Sequence, residues 1–268
     1  MPKPYTHQPR KRFGQNFLRD DAVIDAIANA IAPRTCDHLV EIGPGEGALT
    51  QALVESSGVF DAIELDRDLK TRLLASFSIY PQFTLHSADA LSFDFQALVH
   101  ADERLRVVGN LPYNISTPLI FRLLETSDHI QDMHFMLQKE VVQRICAQPG
   151  SKHWGRLGIM CQFQCEVSYL FDVPPSAFFP PPKVDSAIVR LVPQHRTKDP
   201  CDRAKLARVV QTACAQRRKT LRNNFKGIAD DAVLMSAGIN PEARAETVAL
   251  EHYITLTNTL AKLGALEN

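Results

Sequence analysis

The sequence predicts an α/β protein: a doubly wound, mostly parallel sheet covered by helices, followed by a small all-α C-terminal domain. Three observations carry this expectation. Short apolar runs rich in Val, Ile, Leu and Phe alternate with amphipathic stretches over the first two thirds of the chain, the pattern of βαβ units. A proline-dense run, Pro174 to Pro182, then interrupts the alternation, because proline fits neither a helix interior nor a central strand. From about Lys198 onward the apolar spacing is helical to the end.

Taken in order, the chain opens on MPKPYTHQPRKRFGQNF, which is basic and polar. It lacks the apolar core of a secretory signal, so none is expected. The first strand is HLVEI (His38–Ile42), and the glycine-rich turn after it leads into a helix over Ala48–Glu55. FDAIEL (Phe60–Leu65), FTLHS (Phe83–Ser87), LRVVG (Leu105–Gly109) and MHFML (Met133–Leu137) read as further strands. RDLKTRLLASF, with apolar residues three and four apart, is a covering helix between FDAIEL and FTLHS. Such strands are buried on both faces and parallel. SAIVRLV (Ser186–Val192) reads as one more strand, antiparallel and at or near an edge. RAKLARVVQTACAQRRKTLRNNF and ITLTNTLAKLGAL supply the helices of the last domain.

Composition narrows the function classes. At 268 residues the chain is long enough for one or two domains with a real core. No apolar run approaches the roughly 20 residues that span a bilayer, so no membrane association is expected. The six cysteines are scattered, and Cys161 and Cys165 lack His or Cys partners at ligand spacing. Free thiols in a reducing cytoplasm, with no metal, are therefore expected. The formal charge is zero, but it is unevenly placed. The first 19 residues hold Lys3, Arg10, Lys11, Arg12 and Arg19 and no acid. Between Ala187 and Lys226, eleven basic residues face two acids. A solvated helix face is the plain explanation of a short charge run. Concentration of this kind in a neutral protein favours a polyanionic partner, nucleic acid.

Three motifs carry chemistry. Glu41-Ile-Gly43-Pro-Gly45-Glu-Gly47 leaves a strand and enters a helix, where glycines let a ligand approach the main chain. Glu64, at the end of the next strand, is placed to accept from two ribose hydroxyls, and Asp89, after the third, from an exocyclic adenine amine. Ala48 stands where a dinucleotide fingerprint allows Gly or Ala, so NAD is not excluded by the glycines. The third motif, Asn110-Leu111-Pro112-Tyr113, tilts the balance to an adenosyl ligand without pyrophosphate. Most Asn-x-Pro strings are only turns. Here, however, the Asn110 side-chain oxygen and the Leu111 carbonyl can accept the two N–H of an amine on a flat base. Pro112 holds the turn, and Tyr113 can stack on the ring, a contact worth about 1–3 kcal/mol. A base paired inside a helix is out of reach, so the target is flipped out or single-stranded.

With GPGEG, Glu64 and Asp89, the Asn-Leu-Pro-Tyr motif resembles the class I S-adenosylmethionine-dependent adenine-N6 methyltransferases, with their Rossmann-like sheet. The longer strings FGQNFL (Phe13–Leu18), NLPYNISTPL, MLQKEV, FFPPPKVDSAIVRL and QRRKTLRNN are similar to the ribosomal RNA adenine dimethyltransferases. The resemblance covers about Arg10 to Tyr253. It implies a methyltransferase domain with a basic N-terminal arm over residues 1–195 and a helical RNA-binding domain over 196–268. It further implies S-adenosylmethionine as cofactor, held by Asn16, Leu18, Gly43, Gly45, Glu64, Asp89 and Asn110. Asn110, Leu111, Pro112 and Tyr113 would form the catalytic motif, with Phe178 packing on the target base opposite Tyr113. Arg10, Lys11, Arg12, Arg217, Arg218, Lys219 and Arg222 would face RNA phosphates. Among members of the family, NISTPL, FPPPKVDSAIVRL and RRKTLRN favour the bacterial enzymes that dimethylate two adjacent adenosines near the 3′ end of 16S ribosomal RNA, acting in small-subunit maturation. They argue against sister enzymes that act on large-subunit RNA. A non-catalytic assembly or transcription factor is the reading of a different class, and intact Glu64, Asp89, Asn110 and Tyr113 argue against it. The partner expected is the small subunit or its precursor in the cytoplasm. A monomer is the expectation in the absence of any sign of an oligomer interface.

Overall fold

The computed structural model describes residues 15–100, 103–194 and 200–266. The chain divides into two compact units, Met1–Val142 with Ser168–Pro193 and Gln143–Val167 with Gln194–Asn268. This partition differs from the expected division at 195/196 over Gln143–Val167, which clusters with the C-terminal residues.

The elements are β1 (Phe17–Leu18), α1 (Asp21–Ile31), β2 (His38–Ile42), α2 (Ala48–Leu53), β3 (Val59–Ile63), α3 (Arg67–Phe77), β4 (Phe83–His86), β5 (Leu105–Asn110), α4 (Ser116–Glu125), β6 (Ile130–Gln138), α5 (Lys139–Ile145), α6 (Arg156–Gln164), β7 (Cys165–Val173), β8 (Phe178–Phe179), β9 (Ser186–Pro193), α7 (Arg203–Cys214), α8 (Leu221–Asn224), α9 (Asp231–Ser236) and α10 (Leu250–Lys262). Seven strands form one sheet in the order β4-β3-β2-β5-β6-β9-β7. The pairs β3–β4, β2–β3, β2–β5 and β5–β6 are parallel. β9 runs antiparallel to β6 and lies second from the edge. The edge strand β7 was not anticipated. Its burial along CEVSYLFDV follows no strict alternation, so it carries no clear strand period. The two-residue strands β1 and β8 pair antiparallel with each other, Phe17 opposite Phe179 and Leu18 opposite Phe178. Strands this short exist only through that tertiary pairing.

Helix starts follow local chemistry. The carboxylates of Asp20 and Asp66 cap α1 and α3, accepting from Val23 N and Asp68 N, groups that otherwise have no partner in the first turn. One face of the sheet packs Leu39, Phe60, Ala62 and Val108 against Ile27 and Ile31 of α1, Leu49 and Leu53 of α2, and Leu73 and Phe77 of α3. On β5, buried Arg106 donates to Asp132 at 3.0 Å, to Asp37 at 2.7 Å and to the Ile31 carbonyl at 2.6 Å. A buried cation so partnered ties β5, β6 and the end of α1 together. The strand order reverses between β2 and β5, and in such sheets ligands bind outside the carboxyl ends of the strands at the reversal.

In the second unit, Leu206, Val209, Val210, Ala213, Phe225, Tyr253, Ile254, Leu256 and Leu260 form the apolar interior. The Trp154 indole donates to Val248 O at 2.8 Å, and the Tyr253 hydroxyl to Ala245 O at 2.9 Å. The segment RAKLARVVQTACAQRRKTLRNNF supplies two helices, α7 and α8, with a turn over residues 215–220. The physical reason is visible at the start of α8. Leu221 N and Arg222 N bond to the Ala243 and Pro241 carbonyls, so a fresh helix begins there.

Candidate active site

A cavity of about 220 Å³ opens at the reversal point, beyond the carboxyl ends of β2, β3 and β5. It brings together Asn16, Leu18, Gly43, Gly45, Glu64, Asp89, Asn110, Leu111, Pro112 and Tyr113. These residues, scattered over nearly a hundred positions, meet because each follows a strand or belongs to the arm lying across the strand ends. Gly45 has φ +61, and a Cβ there would stand 3.1 Å from the Phe17 ring. The arm therefore rests directly on the glycine turn. Gln15 adds a hydrogen bond of 3.0 Å to Asp66, and Arg19 one of 3.1 Å to Glu46.

Glu64 is buried and its carboxylate is held from two sides. Oε1 accepts from Asp66 N at 2.8 Å and Oε2 from Gly45 N at 3.3 Å. Burial nevertheless keeps its pKa above the usual carboxylate range, despite those donors. Glu41, fully buried behind it, accepts from the Thr50 hydroxyl at 2.5 Å. Burial above all, opposed by that bond and assisted by the Glu64 charge, pushes it up to about 7. Asp89 is exposed, and one of its oxygens accepts from Leu91 N at 2.9 Å.

At the end of β5, Asn110 Nδ2 donates to the Asn16 carbonyl at 3.1 Å. Only the amide nitrogen can serve that acceptor, so Oδ1 is turned away from it as a free acceptor. Among the described hydrogen bonds none ends on the Leu111 carbonyl, while its N–H is spent on Met136 O at 3.2 Å. The Tyr113 hydroxyl lies 2.7 Å from Ser186 Oγ. Burial raises its pKa against that bond, so the phenol stays neutral.

Phe178 stands apart from the sequence expectation. It does not line the cavity. Its side chain is 5 % exposed and packs with Leu18, Val173, Met136 and Ile188 in the hydrophobic core. Opposite Leu18 on the ribbon it shares Leu18's face, and its core neighbours Leu18, Met136 and Ile188 line the cavity while Phe178 itself does not. Arg10, Lys11 and Arg12 lie outside the described residues. Arg217, Arg218 and Lys219 are exposed in the turn between α7 and α8. Arg222 is engaged elsewhere, donating to Asp231 at 2.9 and 2.6 Å and also to Glu242. Its charge is thus largely answered within its own unit.

Gln15, His134, Met136 and Ile188 also line the cavity and escaped the sequence reading, and so does Glu41, named there only as the start of the glycine motif and not as a site residue. Glu41 had a signal, as the acid two residues before the glycine turn. His134 and Met136 are betrayed only by register, Val108 opposite His134 and Asn110 opposite Met136. His134 is buried with neither ring nitrogen hydrogen-bonded. Its Nδ1 stands 3.6 Å from Asp132 Oδ1, beyond hydrogen-bond reach.

Comparison with known proteins decides the family. The model of the ribosomal RNA adenine dimethylases matches residues 6–262. The chain belongs to the ribosomal RNA adenine dimethylase family. Among its relatives, the ribosomal RNA small subunit methyltransferase A of Saccharophagus degradans is 56 % identical over 95 % of both chains. That of Pseudomonas aeruginosa is 54 % identical over 98 % of both. Two solved structures share the architecture of this chain. A dimethyladenosine transferase from Plasmodium falciparum has a TM-score of 0.75 at 26 % identity, covering 92 % of this chain and 98 % of that one. The 23S rRNA methyltransferase ErmE has a TM-score of 0.70 at 26 % identity, covering 92 % and 100 %. The fold is thus that of an RNA methyltransferase, and the chain is an enzyme of that class. Among the described residues no helix is long and apolar enough to cross a membrane.

Proposed function

We propose that the protein transfers methyl groups from S-adenosylmethionine to the N6 amines of two adjacent adenosines near the 3′ end of 16S ribosomal RNA, in the small subunit or its precursor in the cytoplasm. The relatives named as small subunit methyltransferases, more than half identical over nearly the whole chain, support this choice of RNA.

The residues present fit the cofactor. Glu64, fixed by the Gly45 and Asp66 N–H groups, offers its remaining lone pairs to a ribose. Asp89 keeps one oxygen outside its turn bond for an adenine amine. Asn16 and Leu18 of the arm, with Gly43 and Gly45 of the turn, enclose the remainder. When bound, S-adenosylmethionine supplies a methyl group activated by its sulfonium.

The chain's own task is then alignment rather than proton abstraction. An exocyclic amine is a poor nucleophile because its lone pair is delocalised into the ring. Asn110 Oδ1 and the Leu111 carbonyl accept its two N–H and favour pyramidal nitrogen. Tyr113, with its hydroxyl anchored on Ser186, presents its ring to the base. The observation that carries this reading is the Asn16 carbonyl, which orients the Asn110 amide so that the oxygen is the free atom. It is tested with Asn110→Ala. Methyl transfer to unmethylated small subunits should fall about 10²–10³-fold, as when a preorganised polar contact to a transition state is lost. Cofactor affinity and melting temperature should change far less. Turnover within a few-fold of wild type would remove Asn110 from the mechanism.

A further inference from the structure

The two-stranded ribbon of β1 and β8 shows two unlike faces. Leu18 and Phe178 point into the core. Phe17 and Phe179, directly opposite one another, share the other face. Phe17 lines the cavity over Gly45, whereas Phe179 is 49 % exposed. A single exposed phenylalanine needs no explanation in general. This one differs in what covers it. The Arg19 guanidinium lies 4.6 Å from its ring centroid. Arg19 is itself held in place: its N–H bonds to Ala177 O at 2.9 Å and its side chain to Glu46 at 3.1 Å. The same Glu46 receives Arg72 at 3.4 Å. One side of the Phe179 ring is thus covered by a cation, on the strand paired with β1, whose Phe17 and Leu18 line the cavity.

We infer that Phe179, backed by Arg19, is a stacking platform for the nucleobase next to the adenosine being methylated. The inference rests on the proposed RNA substrate and deepens it. Two adjacent adenosines are to be modified, and only one base at a time can enter beside Asn110 and Tyr113. Extracting that base unstacks its neighbour. The neighbour then needs a new π-surface, and an aromatic ring with a cation on its far side provides one. The guanidinium also carries positive charge close to the sugar–phosphate chain that joins the two nucleotides. Phe179 thereby takes a substrate-holding role on the outer face of the ribbon, while Phe178 on the inner face packs the core.

The test uses the full-length protein with Phe179→Ala, Phe179→Leu, Phe179→Trp and Arg19→Gln. Methyl transfer is followed as a function of small-subunit concentration, and S-adenosylmethionine binding is measured by calorimetry. Phe179→Ala and Phe179→Leu should each raise KM for the subunit roughly ten-fold, the scale of one lost base stack. Phe179→Trp should stay near wild type, and Arg19→Gln should fall between. Cofactor affinity should be unchanged in all four, which also shows the variants to be folded. An unchanged subunit KM in Phe179→Ala overturns the inference. So does Phe179→Leu matching Phe179→Trp, since apolar cover alone would then suffice. Absence of transfer by the wild type would instead overturn the proposed function, and the platform with it.

Discussion

At the residue scale, the cavity presents a carboxylate and an amide held by main-chain groups. Glu64 is gripped by the Gly45 and Asp66 N–H groups, so Glu64→Ala should weaken S-adenosylmethionine binding about ten- to a hundred-fold. That is the range for losing charge-assisted hydrogen bonds, and calorimetry reads it directly; unchanged affinity would take Glu64 out of the site. Glu41 makes a different prediction. Its ordinary value of 4.5 rises to about 7 in the folded protein. Between those values the folded state binds more protons than the unfolded one, so stability falls as pH rises through the window. Glu41→Gln should flatten this slope, making the variant relatively more stable above pH 7 by roughly 2–4 kcal/mol at 1.36 kcal/mol per unit. Denaturant titrations at pH 5 and pH 8 check it, and parallel pH profiles in both proteins would contradict it. Glu64, Asp89 and Asn110 were legible in the sequence because each follows a recognisable strand in a sheet whose ligands gather at strand ends. Phe178 was not, because the face shown by a two-residue strand depends on its pairing with Leu18, about 160 residues earlier in the chain. The engagement of Arg222 by Asp231 and Glu242 was hidden for the same reason.

At the element scale, the close approach of β5 to β2 is what lets Asn110 reach the glycine turn. Gly109 lies in β5, and a Cβ there would stand 2.5 Å from the Ile42 carbonyl oxygen, a backbone atom. Gly109→Ala must push the two strands apart. It should cost about 1–3 kcal/mol of stability, the usual range for overpacking, and displace Asn110 enough to impair transfer. A variant of wild-type stability and rate would show the strands to be freer than the spacing implies. The strands β2, β3, β4, β5 and β6 were readable as compact apolar runs, within a few residues of their observed bounds. β7 was not, because an edge strand with mixed burial has no period to detect. The break between α7 and α8 was also hidden, since it depends on carbonyls of Pro241 and Ala243 more than fifteen residues downstream.

At the scale of the whole molecule, the candidate residues fall in separate units: the cavity lies in the first, and Arg217, Arg218 and Lys219 in the second. A two-part chain was evident from the proline run and the change of period. The membership of Gln143–Val167 in the second unit was not, because it is a matter of long-range packing. Replacing Arg217, Arg218 and Lys219 with Gln should reduce the slope of log affinity for the small subunit against log salt by about two to three, at 0.7–0.9 per phosphate contact. Arg222 is left out of that count because Asp231 and Glu242 hold it. A variant with the wild-type slope would make these cations an ordinary solvated surface. The central claim, that the cavity serves methylation of small-subunit RNA, is tested most directly by one assay. Wild-type protein is incubated with methyl-labelled S-adenosylmethionine and unmethylated small or large ribosomal subunits, and the modified bases are mapped. The expected product is N6,N6-dimethyladenosine at two adjacent positions near the 3′ end of 16S RNA, with none in the large subunit. Label on large-subunit RNA, or on neither, would contradict the claim.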